Sequence, residues 1–215
     1  MLIRTAVLLL TLVGALPGAV VIDRMAIVVG KRVIKSSDIE RELRLTEFLN
    51  RDEPNLGSDL MRKAAERLID QAIIRNEIEN GANAPPAPSD ADGLLMQLRQ
   101  DRFRGSNELF QAALSRYGIR ENQLRAHLLW QVTVLSFIDQ RFRPAVLVTD
   151  EETRSYYDQH LAELKQAYPQ NAAFEVLAPK IRSSLEGERV NQKFVEWLEL
   201  ARKRAHIEYR QGAFQ

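Results

Sequence analysis

Few residues in this chain have both the type and the spacing that chemistry requires. The three histidines, His127, His160 and His206, fall on different predicted segments, and no HxxxH or HExxH pair occurs. Cysteine is absent, which excludes thiolate nucleophiles, disulfides and cysteine-ligated metal sites. Gly30 and Lys31 lack the glycine-rich lead of a phosphate-binding loop, and the acidic pairs lie on charged helix faces. We therefore predict no catalytic residue, no metal site and no cofactor.

The residues that are suited to binding are apolar, and they lie between Arg120 and Phe142. Apolar residues recur there at steps of three and four, which predicts a helix. They form two stripes that lie about 160° apart round that helix. A helix that is apolar on opposite sides is either sandwiched between neighbours or leaves one stripe open as a groove, and the burial of most apolar residues favours the sandwich. The first stripe is Leu124, Leu128, Val132, Leu135, Ile138 and Phe142, and the second is Trp130, Val134 and Phe137.

Length, composition and charge are those of a folded globular protein. The chain has 215 residues, of which 45% are hydrophobic and 27% are charged, so it is long enough for a sizeable core. Lysine and arginine number 30 and aspartate and glutamate 29, and the two signs are interspersed. Because there is no basic surplus, we predict that nucleic acid is not a partner.

The first nineteen residues have the pattern of a secretory signal peptide. Arg4 precedes an apolar run from Ala6 to Val13, and small residues follow, so cleavage is expected after Ala15 or Ala19. The apolar run is short for a membrane span. No second candidate span follows, which predicts no stable membrane span after cleavage. The basic flank favours export to a bacterial periplasm.

The rest of the chain, residues 20–215, is predicted to be a single, mainly α domain of about six to seven helices. β-branched residues on either side of the turn at Gly30 and Lys31 predict a small antiparallel β-hairpin. Two short extended runs, at 145–148 and 207–210, are predicted to join it as strands. No long linker divides these elements.

Capping boxes mark the starts of three of these helices, and the box at Ser89 and Asp92 precedes the helix that carries Leu94 and Leu95. Ser37 and Glu40 predict a helix from about residue 38 to residue 50. Thr149 and Glu152 form the most complete box, and they predict a single helix that continues through Leu164. A last long helix is predicted from around residue 174 to residue 204.

Four stretches of the chain, taken in order, carry a family resemblance. They are DRMAIVVGKRVIKSSDIE after the export signal, LIDQAIIRNEIENGA from Leu68, VLVTDEETRSYYDQH from Val146, and FEVLAPKIRSSLEGERVNQKFVEWLELARKRAHIEYR from Phe174. In this order they resemble the SurA-like periplasmic chaperones, in which a parvulin-type isomerase domain lies between two parts of a helical chaperone core. The resemblance implies that the C-terminal helix and strand pack back on the N-terminal part.

One departure from that family changes the expected biochemistry. Only thirteen residues separate His160 from Phe174, at the position where the family has its isomerase domain. A chain of fewer than about 40 residues rarely builds an independent core. We therefore expect the isomerase domain to be missing and the protein not to be an enzyme.

The resemblance implies an ATP-independent holdase in the periplasm that binds unfolded exported proteins, outer-membrane proteins among them, through an apolar groove. The candidate peptide-binding residues are Trp130, Val134 and Phe137 of the second stripe, together with Leu94 and Met96. Two alternatives are open. The first is a peptidyl-prolyl isomerase that uses a reduced site. The second is a structural or assembly subunit of the cell envelope, whose apolar stripes bind a fixed partner or form a homodimer.

Overall fold

The computed structural model describes residues 23–81 and 87–210, so the predicted signal peptide lies outside the described residues. Within them the protein is mainly α, with eight α-helices and one small antiparallel sheet, as the sequence predicted. The hairpin strands are β1 (Met25–Val29) and β2 (Arg32–Lys35). Then follow α1 (Ser36–Asn50), α2 (Ser58–Asn80), α3 (Pro88–Phe103), α4 (Asn107–Arg116), α5 (Glu121–Phe142), α6 (Asp150–Gln159), α7 (Leu161–Ala167), α8 (Phe174–Arg204) and β3 (Ile207–Tyr209).

The sheet joins the two ends of the described chain. Its strand order is β2-β1-β3, and both neighbours of β1 are antiparallel to it. Ile27 in the central strand lies opposite Ile34 on one side and Tyr209 on the other. Gly30 adopts a left-handed φ of 57°, which a hairpin turn of this kind requires. The prediction that the 207–210 run joins the hairpin is therefore confirmed.

The second predicted strand, at 145–148, is wrong. Arg143–Ala145 form a single 3-10 turn that directly follows α5, and the amide of Val146 donates to the carbonyl of Arg143 at 3.0 Å. The guanidinium of Arg189 on α8 donates to the carbonyl of Leu147. Because a turn and a side chain occupy these backbone groups, they are not used for pairing with the sheet.

The helix count also exceeds the six to seven that we predicted, because the segment after Thr149 is two helices. His160 has φ −109° and ψ 17°, which lies outside the helical region and separates α6 from α7. Its amide still donates to the carbonyl of Tyr156 at 3.0 Å, so the last turn of α6 is closed.

The predicted capping box at the start of α6 is confirmed. The hydroxyl of Thr149 accepts from the amide of Glu152 at 3.2 Å, and the carboxylate of Glu152 accepts from the amide of Thr149 at 2.9 Å. Hydrogen bonds from Arg189, and then from the backbone of Thr149, lower the pKa of Glu152 to about 2. Glu152 therefore caps α6 and also ties it to α8.

The capping box predicted at Ser89 and Asp92 is wrong, because α3 begins at Pro88 and has Ala87 as its N-cap. The capping box predicted at Ser37 and Glu40 is also wrong. The helix begins at Ser36, and its cap is formed by the amide of Lys35, which donates to Asp38 at 3.0 Å. Ser37 instead donates its hydroxyl to Asp23 at 2.7 Å, which ties α1 to the residue that precedes the hairpin.

Three apolar clusters hold these elements together. The first packs the sheet between α1, α2 and the end of α8, with Ile27, Ile39 and Ile69 fully buried. The second joins the end of α1 to α3, α4 and the first half of α5, and Phe110 and Leu124 lie at its centre. The third joins α2, the second half of α5 and α8, and it contains Ile74, Trp130, Phe137, Phe142 and Val190.

Helix α5 changes its buried face along its length. Its first half packs into the second cluster through Leu124 and Leu128, and its second half packs into the third through Phe137 and Phe142. Leu135, a member of the first stripe, is 67% exposed. The first stripe is thus buried in both clusters, through Leu124 and Leu128 in the second and through Phe142 in the third, whereas the second stripe is buried in the third cluster. None of the described helices is both long and apolar enough to cross a membrane.

Two leucines of α5 test this arrangement with the same substitution. Leu124 is 0% exposed and Leu135 is 67% exposed. We expect Leu124→Ala to lower the free energy of unfolding by about 2–5 kcal/mol, because it leaves a cavity in the second cluster. We expect Leu135→Ala to change it by less than about 0.5 kcal/mol. Urea unfolding followed by circular dichroism measures both, and equal losses would contradict the burial of Leu124.

Candidate functional site

A cleft of about 520 Å³ opens between β2, the facing sides of α1 and α2, and the first half of α5. Its volume lies within the range of about 300–1,000 Å³ that is usual for ligand sites. Four residues of α2 at steps of three and four present one face to it, namely Leu68, Gln71, Ala72 and Arg75. The cleft lies beside the part of α5 at which the helix stops packing in the second cluster and begins to pack in the third. The packing of α5 therefore positions the walls of the cleft.

Trp130 and Arg75 form one wall of the cleft. The central carbon of the Arg75 guanidinium lies 3.7 Å from the centroid of the Trp130 ring, which is cation–π geometry. Burial, and then repulsion by Arg32, lowers the pKa of Arg75, against an opposing attraction from Glu79 and Glu42. An arginine stays charged under such a shift, since its ordinary pKa is above 12. The cleft therefore holds a half-buried positive charge on an aromatic ring.

Glu42 places a negative charge on the opposite wall. Its side chain is 6% exposed, and one carboxylate oxygen lies 3.6 Å from Nδ1 of His127. The other oxygen accepts from Nε of Arg67 at 3.3 Å. Burial raises the pKa of Glu42, but the hydrogen bond and charge of His127, the charge of Arg67 and a hydrogen bond from Gln71 together lower it overall. Glu42 is thus a charged carboxylate with partners supplied by α2 and α5.

The structure places the five predicted peptide-binding residues in three different surroundings. All three residues of the second stripe, Trp130, Val134 and Phe137, pack in the third cluster, and Trp130, which is 8% exposed, also lines the cleft. Leu94 and Met96 are 39% and 72% exposed on α3, on either side of the buried Leu95. The second stripe therefore runs from the cleft into the core, and only its first member borders the open space.

The sequence reasoning missed the polar groups of the cleft, above all Glu42, Gln71, Arg75 and Arg120. A signal for two of them exists in α2. Gln71 and Arg75 share a helical face with the apolar Leu68 and Ala72. A glutamine and an arginine on an apolar face indicate a polar site or an ion pair that reaches into the fold.

The histidines are all hydrogen-bonded or paired in ways that stabilise local structure. His127 meets Glu42, and its other nitrogen lies 3.1 Å from Nε2 of Gln131. Nδ1 of His160 lies 2.9 Å from the carbonyl of Tyr156, and the two rings stack at 4.1 Å. Within residues 23–81 and 87–210, no three histidine, aspartate or glutamate side chains are grouped so that they could hold a metal ion.

The buried carboxylate predicts an acid-sensitive contribution to stability. Because the pKa of Glu42 is lower in the folded protein than in the unfolded chain, its charge stabilises the fold above its ordinary pKa. That stabilisation is lost as the pH falls through the lowered value. We expect Glu42→Gln to lower the free energy of unfolding by about 1–3 kcal/mol at neutral pH. The difference from the wild type should shrink in acid, as measured by urea unfolding between about pH 7 and pH 3.

Glu40 supplies the matched control on the same helix. It pairs with Arg44 one turn away, at 3.2 Å, and both side chains are partly exposed. Glu40→Gln should therefore cost only about 0.3–0.5 kcal/mol. Equal losses for the two variants, or a Glu42→Gln effect that grows in acid, would contradict the pairing of Glu42.

Comparison with known proteins adds no relative of assigned function. No protein-family model matches the chain, and no curated protein matches it. The geometry of the cleft and the order of the elements are therefore the observations from which a function is argued.

Proposed function

We propose that the protein is an ATP-independent periplasmic chaperone that holds unfolded exported proteins, with outer-membrane proteins as the expected clients. The observation that carries the proposal is the cleft between β2, α1, α2 and α5. Its lining combines the ring of Trp130, the aliphatic side chains of Leu45 and Leu68, and the amides of Gln71 and Gln123. Such a mixture is suited to side chains and backbone of an extended polypeptide, rather than to one rigid small molecule.

The segment between α6 and α8 supports binding without isomerisation. It consists of the seven-residue α7 and a turn that leads to Phe174. Residues 161–173 stand where the resembled family carries its isomerase domain. A single short helix with no buried residue supplies no enclosed proline pocket.

Exposed apolar side chains elsewhere carry less weight. Met96, Leu109, Leu135 and Leu147 are more than half exposed, but the first three lie on different helices and Leu147 lies in the segment before α6. Single apolar residues on a protein surface are ordinary and do not define a binding site. They are secondary contacts at most for a chain whose main contact is the cleft.

The proposal predicts that the protein suppresses aggregation. An outer-membrane β-barrel protein unfolded in urea is diluted into buffer with the protein lacking residues 1–19, and light scattering is followed without ATP. We expect scattering to fall steeply at equimolar protein, because bound segments are shielded from one another. Trp130→Ala should raise the concentration needed for half protection about ten-fold, the scale of a contact worth roughly 1.4 kcal/mol.

Two further variants serve as controls in the aggregation assay. Trp130→Phe retains a ring in the cleft and should keep most of the protection. Leu200→Ala removes an apolar side chain that is half exposed on α8, outside the cleft, and should change nothing. Circular dichroism checks that each variant is folded. Unchanged scattering with equimolar wild-type protein would refute the holdase proposal.

The same proposal predicts no prolyl isomerase activity. In a protease-coupled assay with a proline-containing peptide, we expect the rate with the protein to equal the uncatalysed rate. The reason is that only α7 and a turn lie between α6 and α8, where the resemblance would put the isomerase domain. A rate that rises in proportion to protein concentration would favour the isomerase alternative.

A further inference from the structure

We infer that the cleft recognises carboxylates: it binds acidic side chains of an extended client polypeptide through Arg75 and Arg120. This inference rests on the proposed function and deepens it, since it names the chemical feature of the client that the cleft selects. The observation that supports it is that some arginines of the cleft have a carboxylate partner and others do not.

Four arginines line the cleft, but only two of them are paired with carboxylates. Arg32 contacts Glu79 and donates to Asn76 at 2.8 Å, and Arg41 pairs with Asp38 one turn away. Among the described residues, no carboxylate lies within ion-pair distance of Arg75 or Arg120. The lining therefore has a positive surplus at two guanidinium groups.

The environment of Arg75 makes a ligand carboxylate favourable. A half-buried cation without an ion-pair partner has lost part of its hydration, so an incoming anion gains more there than at an open surface. The contact with Trp130 holds the central carbon of the guanidinium 3.7 Å from the centroid of the ring. A guanidinium has five N–H donors, which form two-point hydrogen bonds with carboxylates.

Other groups in the lining favour a peptide carboxylate over a phosphate. Asp38 and Glu42 also line the cleft, and their charges disfavour a dianion more than a monoanion. Leu45 and Leu68 supply apolar contacts, and Gln71 supplies an amide for backbone groups. The match is an acidic residue with apolar neighbours in an extended chain.

The test uses two fluorescein-labelled unstructured peptides of equal length. One carries two glutamates among leucines, and the other carries glutamines at the same positions. Fluorescence anisotropy with the wild-type protein should show about ten-fold tighter binding of the glutamate peptide. Arg75→Gln and Arg120→Gln should each remove most of that preference. Arg204→Gln is the matched control, since Arg204 is exposed on the last turn of α8, outside the cleft, and it should preserve the preference.

Several results would overturn the inference. Equal binding of the two peptides would do so, and so would a preference that survives both Arg75→Gln and Arg120→Gln. Arg120 is exposed at the start of α5, so its variant stays informative even if Arg75→Gln does not fold. Inorganic phosphate that displaces the glutamate peptide at a lower concentration than N-acetylglutamate would assign the cleft to phosphate instead.

The aggregation assay separates this inference from the proposed function. Suppressed aggregation without a glutamate preference would overturn the carboxylate site alone. A glutamate preference that depends on Arg75 and Arg120, without any suppression of aggregation, would overturn the holdase proposal and leave the carboxylate site standing.

Discussion

The packing of the second half of α5 against α8 is the constraint on which the rest of the structure depends. Phe137 and Phe142 lie 5.5 and 5.9 Å from the ring of Trp197, and Phe142 also meets Phe194 at 5.9 Å. Aromatic edge contacts of this kind add about 0.5–1.5 kcal/mol each to the burial of large rings. Because this cluster fixes α8 on α5, the strand that follows α8 is placed where it can pair with β1. The middle and both ends of the described chain are thereby held in one arrangement.

The cleft follows from the change of neighbours along α5. The first half of α5 packs against α3 and α4, and the second half packs against α2 and α8. A gap therefore remains beside α1 and the middle of α2. Polar side chains line this gap, and the buried Glu42 is stabilised by partners from two other helices. A buried carboxylate that lost those partners would be strongly destabilising, so the cleft walls are fixed by charge as well as by apolar packing.

Periodicity in the sequence was enough to predict the mainly α fold. β-branched residues were enough to predict the hairpin, and the alternation of apolar and polar residues at 207–210 was enough to predict its third strand. The strand expected at 145–148 failed because an extended apolar run does not reveal whether a partner edge is within reach. The cap expected at Ser37 failed because Asp38 accepts from the amide of Lys35, which puts the N-cap two positions earlier than the sequence predicted. Of the residues that line the cleft, only Trp130 was among the predicted binding residues. Apolar stripes show which side chains share a face of a helix, but they do not show which face borders a cleft. The pairing of Glu42 with His127 joins segments about eighty-five positions apart, and no local pattern encodes it.

Arg75 is a position where the local arrangement of side chains does not favour the stability of the fold. Most ion pairs of the protein lie at the surface and contribute little individually, but their arginines are at least partnered. Arg75 is partly desolvated without an ion-pair partner among the described residues, and the Trp130 ring and the charges of Glu79 and Glu42 offset only part of that cost. Local choices that forgo stability in this way are concentrated at functional sites, because a group left incomplete in the free protein can be completed by a ligand. Arg75 lies against the ring of Trp130, which is the side chain of the cleft best suited to an apolar contact. The group that would bind a carboxylate and the group that would bind an apolar side chain are therefore neighbours in the cleft.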